Sequence, residues 1–157
     1  MPKEEKMGKM KFTGVSYSYI FDGAGGMRDQ LEQAILSELE AKQYPLKATV
    51  KQVKAGGLLF GTKEQCVVIE TDKEAQIIIS NTTAGTYLYV ELYLMIQEKN
   101  VLFAAFSAMA DNVFKQQKRN AVFLAAKEAS ESAFTKLGLK QSDNKFKVDK
   151  NEISSED

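Results

Sequence analysis

The chain has no histidine and no tryptophan, and only one cysteine and two prolines in 157 residues. Without histidine there is no imidazole base, no imidazole metal ligand and no Ser–His or Cys–His pair. The commonest routes to general-base and nucleophilic catalysis are therefore closed. Carboxylate and lysine chemistry stay open. A single cysteine, Cys66, makes no internal disulfide, so nothing marks the chain as secreted. Surplus charge is missing too. The 21 basic side chains are matched by 21 acidic ones, which argues against a dedicated nucleic-acid binder. No apolar run reaches the roughly 18 residues of a membrane-spanning helix. The opening MPKEEKMGKM lacks the apolar segment of a secretory signal. These absences lead to the expectation of a cytoplasmic, non-enzymatic protein with no metal, no cofactor and no membrane partner.

What is present reads as one globular domain. Apolar residues make 44% and charged residues 27%, close to the globular average, and the length suffices for a sizeable core. The domain is expected over 11–140, after a flexible N-terminus (1–10) and before a polar, disordered tail (141–157).

Phe12 to Phe21 alternates, with Val15, Tyr17, Tyr19 and Phe21 on one side and Gly14, Ser16 and Ser18 on the other, so it reads as a strand. Met27 to Lys42 reads as a helix with Leu31, Ile35 and Leu39 on one stripe and Glu32, Glu38, Glu40 and Lys42 in water. Tyr44-Pro45 is expected to stop it. Leu46 to Lys54 alternates again, and its lysines suit an exposed sheet edge. Leu58–Gly61 is a candidate short strand. Gln65–Glu70 and Ala75–Ser80 are apolar strands joined by the charged tip TDKE, and Asn81–Gly85 is expected to turn. Thr86–Gln97 is the longest strand of the set. Val101 to Leu137 reads as one long helix with Asn100 as cap, or as a short strand at 101–106 with the helix from Asp111. Gly138-Leu139 after Phe134 predicts a Schellman stop.

The order is thus β-α-β-β-β-β-α. It predicts an α+β domain with an antiparallel sheet of about five strands and two helices on one face. This order of elements resembles the TATA-box-binding-protein fold, and a helix-grip fold is the alternative. The resemblance rests on topology alone and implies no DNA binding.

Three sets of residues are candidates for function. The glycine-rich DGAGGMRD before the first helix offers Gly25, Gly26 and Arg28 as an anion site, though it matches no phosphate-loop pattern. Phe103, Phe106, Met109 and Phe114 on the last helix could line a cavity for a small apolar ligand. The strongest set is on the long strand. If Leu88, Val90, Leu92 and Leu94 face the helices, Tyr87, Tyr89, Glu91, Tyr93 and Met95 project from the other face. Tyrosine combines apolar area, few rotors and a hydroxyl that tolerates water, and contiguous patches of this kind mark association. The expectation is a binding module that forms a homodimer or holds a protein partner through this face. The alternative is a carrier of a small apolar ligand. Two registers of the first strand are open: one spreads all five strand tyrosines over one face, the other lays three of them over small residues.

Overall fold

The computed structural model describes residues 10–55, 62–97 and 101–141, and within these the side chains of all but 55, 62 and 101–112. The strands are β1 (Met10–Asp22), β2 (Ala48–Ala55), β3 (Thr62–Asp72), β4 (Ala75–Ala84) and β5 (Tyr87–Gln97). Helix α1 (Arg28–Ala41) follows β1 through a 3-10 turn at Gly25–Met27, and α2 (Val101–Lys136) follows β5. All neighbouring strands pair antiparallel, in the order β1-β5-β4-β3-β2. The α+β class and the element order are those read from the sequence. Helix α2 starts at Val101, so no strand forms at 101–106. The candidate strand at Leu58–Gly61, the Asn100 cap, residues 1–9 and the tail 142–157 lie outside the described residues.

The alternation of β5 sets the core. Leu88, Val90, Leu92 and Leu94 are buried with Val67 and Ile69 of β3 and Ile77 and Ile79 of β4. Leu31, Ile35 and Leu39 of α1 cover them, as do Phe123, Ala126, Ala129, Ala133 and Phe134 of α2. The alanines fall at helical spacing, which gives α2 a flat stripe that can approach the sheet closely.

The register of β1 decides between the two tyrosine arrangements. Tyr17 lies opposite Leu92, Tyr19 opposite Val90 and Phe21 opposite Leu88. Residues directly opposite share a face, so these rings point at the helices. Tyr17 stacks on Phe123 with centroids 5.7 Å apart, while Tyr19 and Phe21 each lie 4.8 Å from Phe134. The Tyr19 hydroxyl donates to Glu131 at 2.7 Å. Burial, then this bonded carboxylate, holds the phenol above its ordinary pKa. Ser16, Ser18 and Ile20 share the other face with Tyr93, Glu91 and Tyr89. The even alternation expected from Val15 and Gly14 onward is corrected by a break in register between Phe12 and Ser16. Gly14 sits there at φ 90°, which favours glycine, and Val15 is 41% exposed rather than inward.

Both helices end in Schellman geometry. After α2, Leu139 N–H donates to Phe134 O and Gly138 N–H to Thr135 O, as expected. After α1, Tyr44 N–H donates to Leu39 O and Gln43 N–H to Glu40 O. Gln43 takes the left-handed position at φ 53°, so this hydrogen-bonded turn, and not Pro45, ends the helix.

Three further expectations are corrected. Asn81–Ala84 is strand, not turn; the β4–β5 hairpin closes through Gly85-Thr86 alone, with Gly85 at φ 60°. Glu32 and Glu38 are buried at 2% and 5% exposure instead of solvated. They flank the Leu31–Ile35–Leu39 stripe, and α1 is packed on both the sheet and α2. Glu38 pairs with Lys136 of α2.

At the β3–β4 tip, Arg119 of α2 makes two bonds to the Asp72 carboxylate, at 2.8 and 3.1 Å, and lies 3.7 Å from Glu74. Burial alone would raise the pKa of Asp72, but bonds from Arg119 and from Glu74 N–H bring it below the usual value. A lowered carboxylate contributes stability above its unfolded pKa, about 3.9, and loses it as pH falls through the folded value. Arg119→Met is therefore expected to cost about 0.5–1 kcal/mol at neutral pH, and the gap from wild type should close below about pH 4. Denaturant titrations at both pH values check this.

Candidate functional site

The face of the sheet away from the helices is built by the residues that alternate with the core. Cross-strand pairing lines them up in rows. One row runs Ser16, Tyr93, Ile78, Val68, Thr49 from β1 to β2, and the next runs Ser18, Glu91, Ser80, Cys66, Lys51. Antiparallel sheets with one open face usually put polar residues there. This face instead carries a second apolar cluster: Cys66, Val68 and Ile78 are buried, and Val53, Tyr93 and Met95 pack against them. Phe12 meets Tyr93 edge to face at 6.1 Å.

The expected tyrosine set is thus brought together on one face, but of its rings only Tyr93 lies beside a small residue, Ser16; Tyr89 pairs with Ile20 and Tyr87 with Asp22. It is not an open patch. Tyr87 is 37% exposed, and Tyr89, Glu91, Tyr93 and Met95 are half-buried. The Tyr89 hydroxyl donates to Glu91 at 3.3 Å. The Tyr93 phenol is pushed up to about 12 by burial, then by Cys66, Glu91 and Glu64. The Cys66 thiol is pushed up to about 11 by burial, then by Glu64. A thiol raised this far stays protonated near neutral pH and is a poor nucleophile.

The glycine-rich turn is occupied with structural bonds. Gly25 is buried, its N–H donates to Thr86 O at 3.0 Å, and its own carbonyl accepts from the Thr83 hydroxyl at 2.9 Å. A Cβ on Gly25 would overlap the Gly85 carbonyl, whereas Gly26 is exposed with open space around it. Arg28 points back over the sheet: Nε donates to Asn81 O at 2.8 Å and Nη2 to Gln65 O at 2.9 Å. Two of the three expected anion-site groups, Gly25 and Arg28, therefore spend donors on backbone carbonyls. Of the expected pocket residues, Phe114 is 79% exposed, outside any core. The side chains of Phe103, Phe106 and Met109 lie outside the described residues.

At the start of α1, Arg28 of the expected anion site meets polar residues that the sequence did not single out. A cleft of about 360 Å³ opens beside Arg28, with Gln52, Lys63, Gln65, Asn81 and Thr83 in its wall. Asn81 is 2% exposed, and neither its amide nitrogen nor its amide oxygen has a hydrogen-bond partner. Glu32, one helical turn after Arg28, accepts from Gln65 Nε2 at 2.6 Å through Oε1, and its Oε2 is unpartnered. The sequence held one signal for this: a carboxylate flanking an apolar helix stripe. Nothing in it placed Asn81 under that helix.

No family model matches the chain, and no curated protein matches it. Among solved structures it is similar to the crystal structure of exocytosis-sensitive phosphoprotein pp63/parafusin, a phosphoglucomutase from Paramecium, in its open form. The identity is 15% and the TM-score 0.37, over 78% of this chain and 21% of that one. This chain thus spans about a fifth of that protein's length, and a likeness at this level carries no functional argument.

Proposed function

We propose that the protein is a non-enzymatic interaction module that pairs with a second copy of itself through the outer sheet face. The observation that supports this reading is the second apolar cluster, with half-buried Tyr93, Met95 and Val53 around it on the side that the core helices leave. A half-buried aromatic row loses more water on association than a polar face does.

The charges on the face favour a second copy as the occupant. Glu91 on β5 and Lys51 on β2 stand in the same cross-strand row, three strand spacings or roughly 14 Å apart. Consider a twofold axis along the strands, between β4 and β3, that stacks two such faces. It sets Glu91 of each copy over Lys51 of the other, and Ile78 over Val68. Aligned packing of this kind is a standard way for two sheets to meet.

Sedimentation of the full chain tests the reading. Tyr87, Tyr89 and Tyr93 replaced together by serine are expected to give a monomer. Glu91→Lys and Lys51→Glu should each weaken the dimer about tenfold, and the double reversal should restore it. A wild-type chain that stays monomeric at high concentration, or a double reversal no better than either single change, overturns the proposal.

A further inference from the structure

We infer, resting on the sheet-face pairing proposed above, that this contact is a proton-sensitive switch: it tightens as pH falls from neutral to about 5, through Glu64 of the two copies. Glu64 stands on the outer face, opposite Val53 of β2, and accepts from the Thr82 hydroxyl of β4 at 3.3 Å. Its charge reaches the apolar cluster of that face, where it helps to raise both the Cys66 thiol and the Tyr93 phenol. Among the described residues no cation forms an ion pair with it.

Strand order gives Glu64 its place in the pair. The twofold axis that sets Ile78 over Val68 runs between β4 and β3. Each outer residue of β3 therefore meets its own counterpart across one strand spacing, about 5 Å. Glu64 comes to lie over Thr82 of the second copy and beside the Glu64 of that copy. A glutamate in water is ionised above about pH 4.3. Two carboxylates this close, with water displaced by the stacked sheets, do not both ionise without cost, so the pair retains a proton that the separate chains have lost. The dimer then binds more protons than two monomers, and its Kd rises with pH.

The other charges near Glu64 leave this repulsion standing. Asp22, Glu64, Glu70 and Glu91 share the outer face with one cation, Lys51. Glu70 is also beside the axis, but Lys51 of its own chain answers it at 3.4 Å. Glu91 is set over Lys51 of the second copy, and Asp22 lies on edge strand β1, bonded by the Thr86 hydroxyl. From behind the sheet, Arg28 and Glu32 act on Cys66 with opposite signs. Cys66 and Tyr93 are both raised and stay neutral near pH 7. Because the chain has no histidine, no side chain of ordinary value competes as the sensor between about pH 5 and 7.5.

Sedimentation of the full chain at about pH 7.5 and about pH 5 provides the test. The wild-type Kd is expected to be at least about tenfold lower at the lower pH. Glu64→Gln removes the charge and keeps an acceptor for Thr82. At about pH 7.5 it should pair at least about tenfold more tightly than wild type, and its Kd should change less than about twofold between the two conditions. Glu70→Gln should keep the wild-type pH dependence, and a general effect of net charge would move all three chains alike. A dimer whose Kd ignores pH, or a Glu64→Gln chain with the wild-type dependence, overturns the inference and leaves the sheet-face pairing intact. Absence of a dimer at both pH values overturns the two together.

Discussion

Replacing Phe21 with alanine is expected to lower the unfolding free energy by about 3–5 kcal/mol. The side chain is 1% exposed and lies opposite Leu88, itself fully buried, at the end of β1. Its ring is 4.8 Å from Phe134 and 6.4 Å from Tyr19, so it joins the edge strand to the last turns of α2. Removing it leaves a cavity between a paired strand and a helix, which neither can close without breaking register or the Schellman stop. Val15→Ala on the same strand should change stability by no more than about 0.5 kcal/mol, since Val15 is exposed and outside the regular register. Urea unfolding of both variants reads the difference as a shift in midpoint at constant slope. Equal costs at the two positions would show that β1 does not pair as described.

Two adjacent glycines are expected to respond with opposite sign. Gly25→Ala should cost about 1–3 kcal/mol, in the range of an overpacked core. The added carbon would meet the backbone carbonyl of Gly85, and no rotamer change moves a backbone atom. That turn is also tied through Gly25 N–H to Thr86 O and through the Thr83 hydroxyl to Gly25 O. Relief of the overlap therefore strains the β4–β5 hairpin. Gly26→Ala has open space and no left-handed backbone angle, so it should be neutral or stabilise by about 0.4–1 kcal/mol through the unfolded chain. Thermal melts of the two variants decide between this packing role and a flexible loop, in which both changes would behave alike.

These cases show why some of the molecule was legible in the sequence and some was not. Local periodicity carries strands, helices and stops, so the Leu88–Leu94 alternation, the Leu31–Ile35–Leu39 stripe and the Gly138 stop were all readable. Two misreadings were local competitions. The polar, β-branched Asn81–Ala84 resembles a turn, yet it pairs fully with β5 because Gly85-Thr86 alone can close the hairpin. Glu32 and Glu38 look like solvent residues, but α1 is packed on two sides and needs polar partners at its flanks. The cleft depended on more distant relations. Arg28, Gln65 and Asn81 are 37 and 53 residues apart from helix to strand, and only strand order brings them together.

The sequence by itself determined the class of the domain and which side of β5 faces the helices, because side-chain alternation is a property of one strand. It also limited the chemistry, because a chain without histidine cannot place an imidazole anywhere. Only the tertiary structure decided the register of β1, which turns Tyr17 and Tyr19 into the core and sets Tyr93 beside Ser16, Tyr89 beside Ile20 and Tyr87 beside Asp22 on the other face. Register is a relation between segments some 70 residues apart, since Tyr19 pairs with Val90, and a shift of one residue would reverse every ring. The same relation placed Glu91 and Lys51 in one row across the outer face, with Ile78 and Val68 side by side in the next. Those are the features on which the proposed contacts of this protein rest.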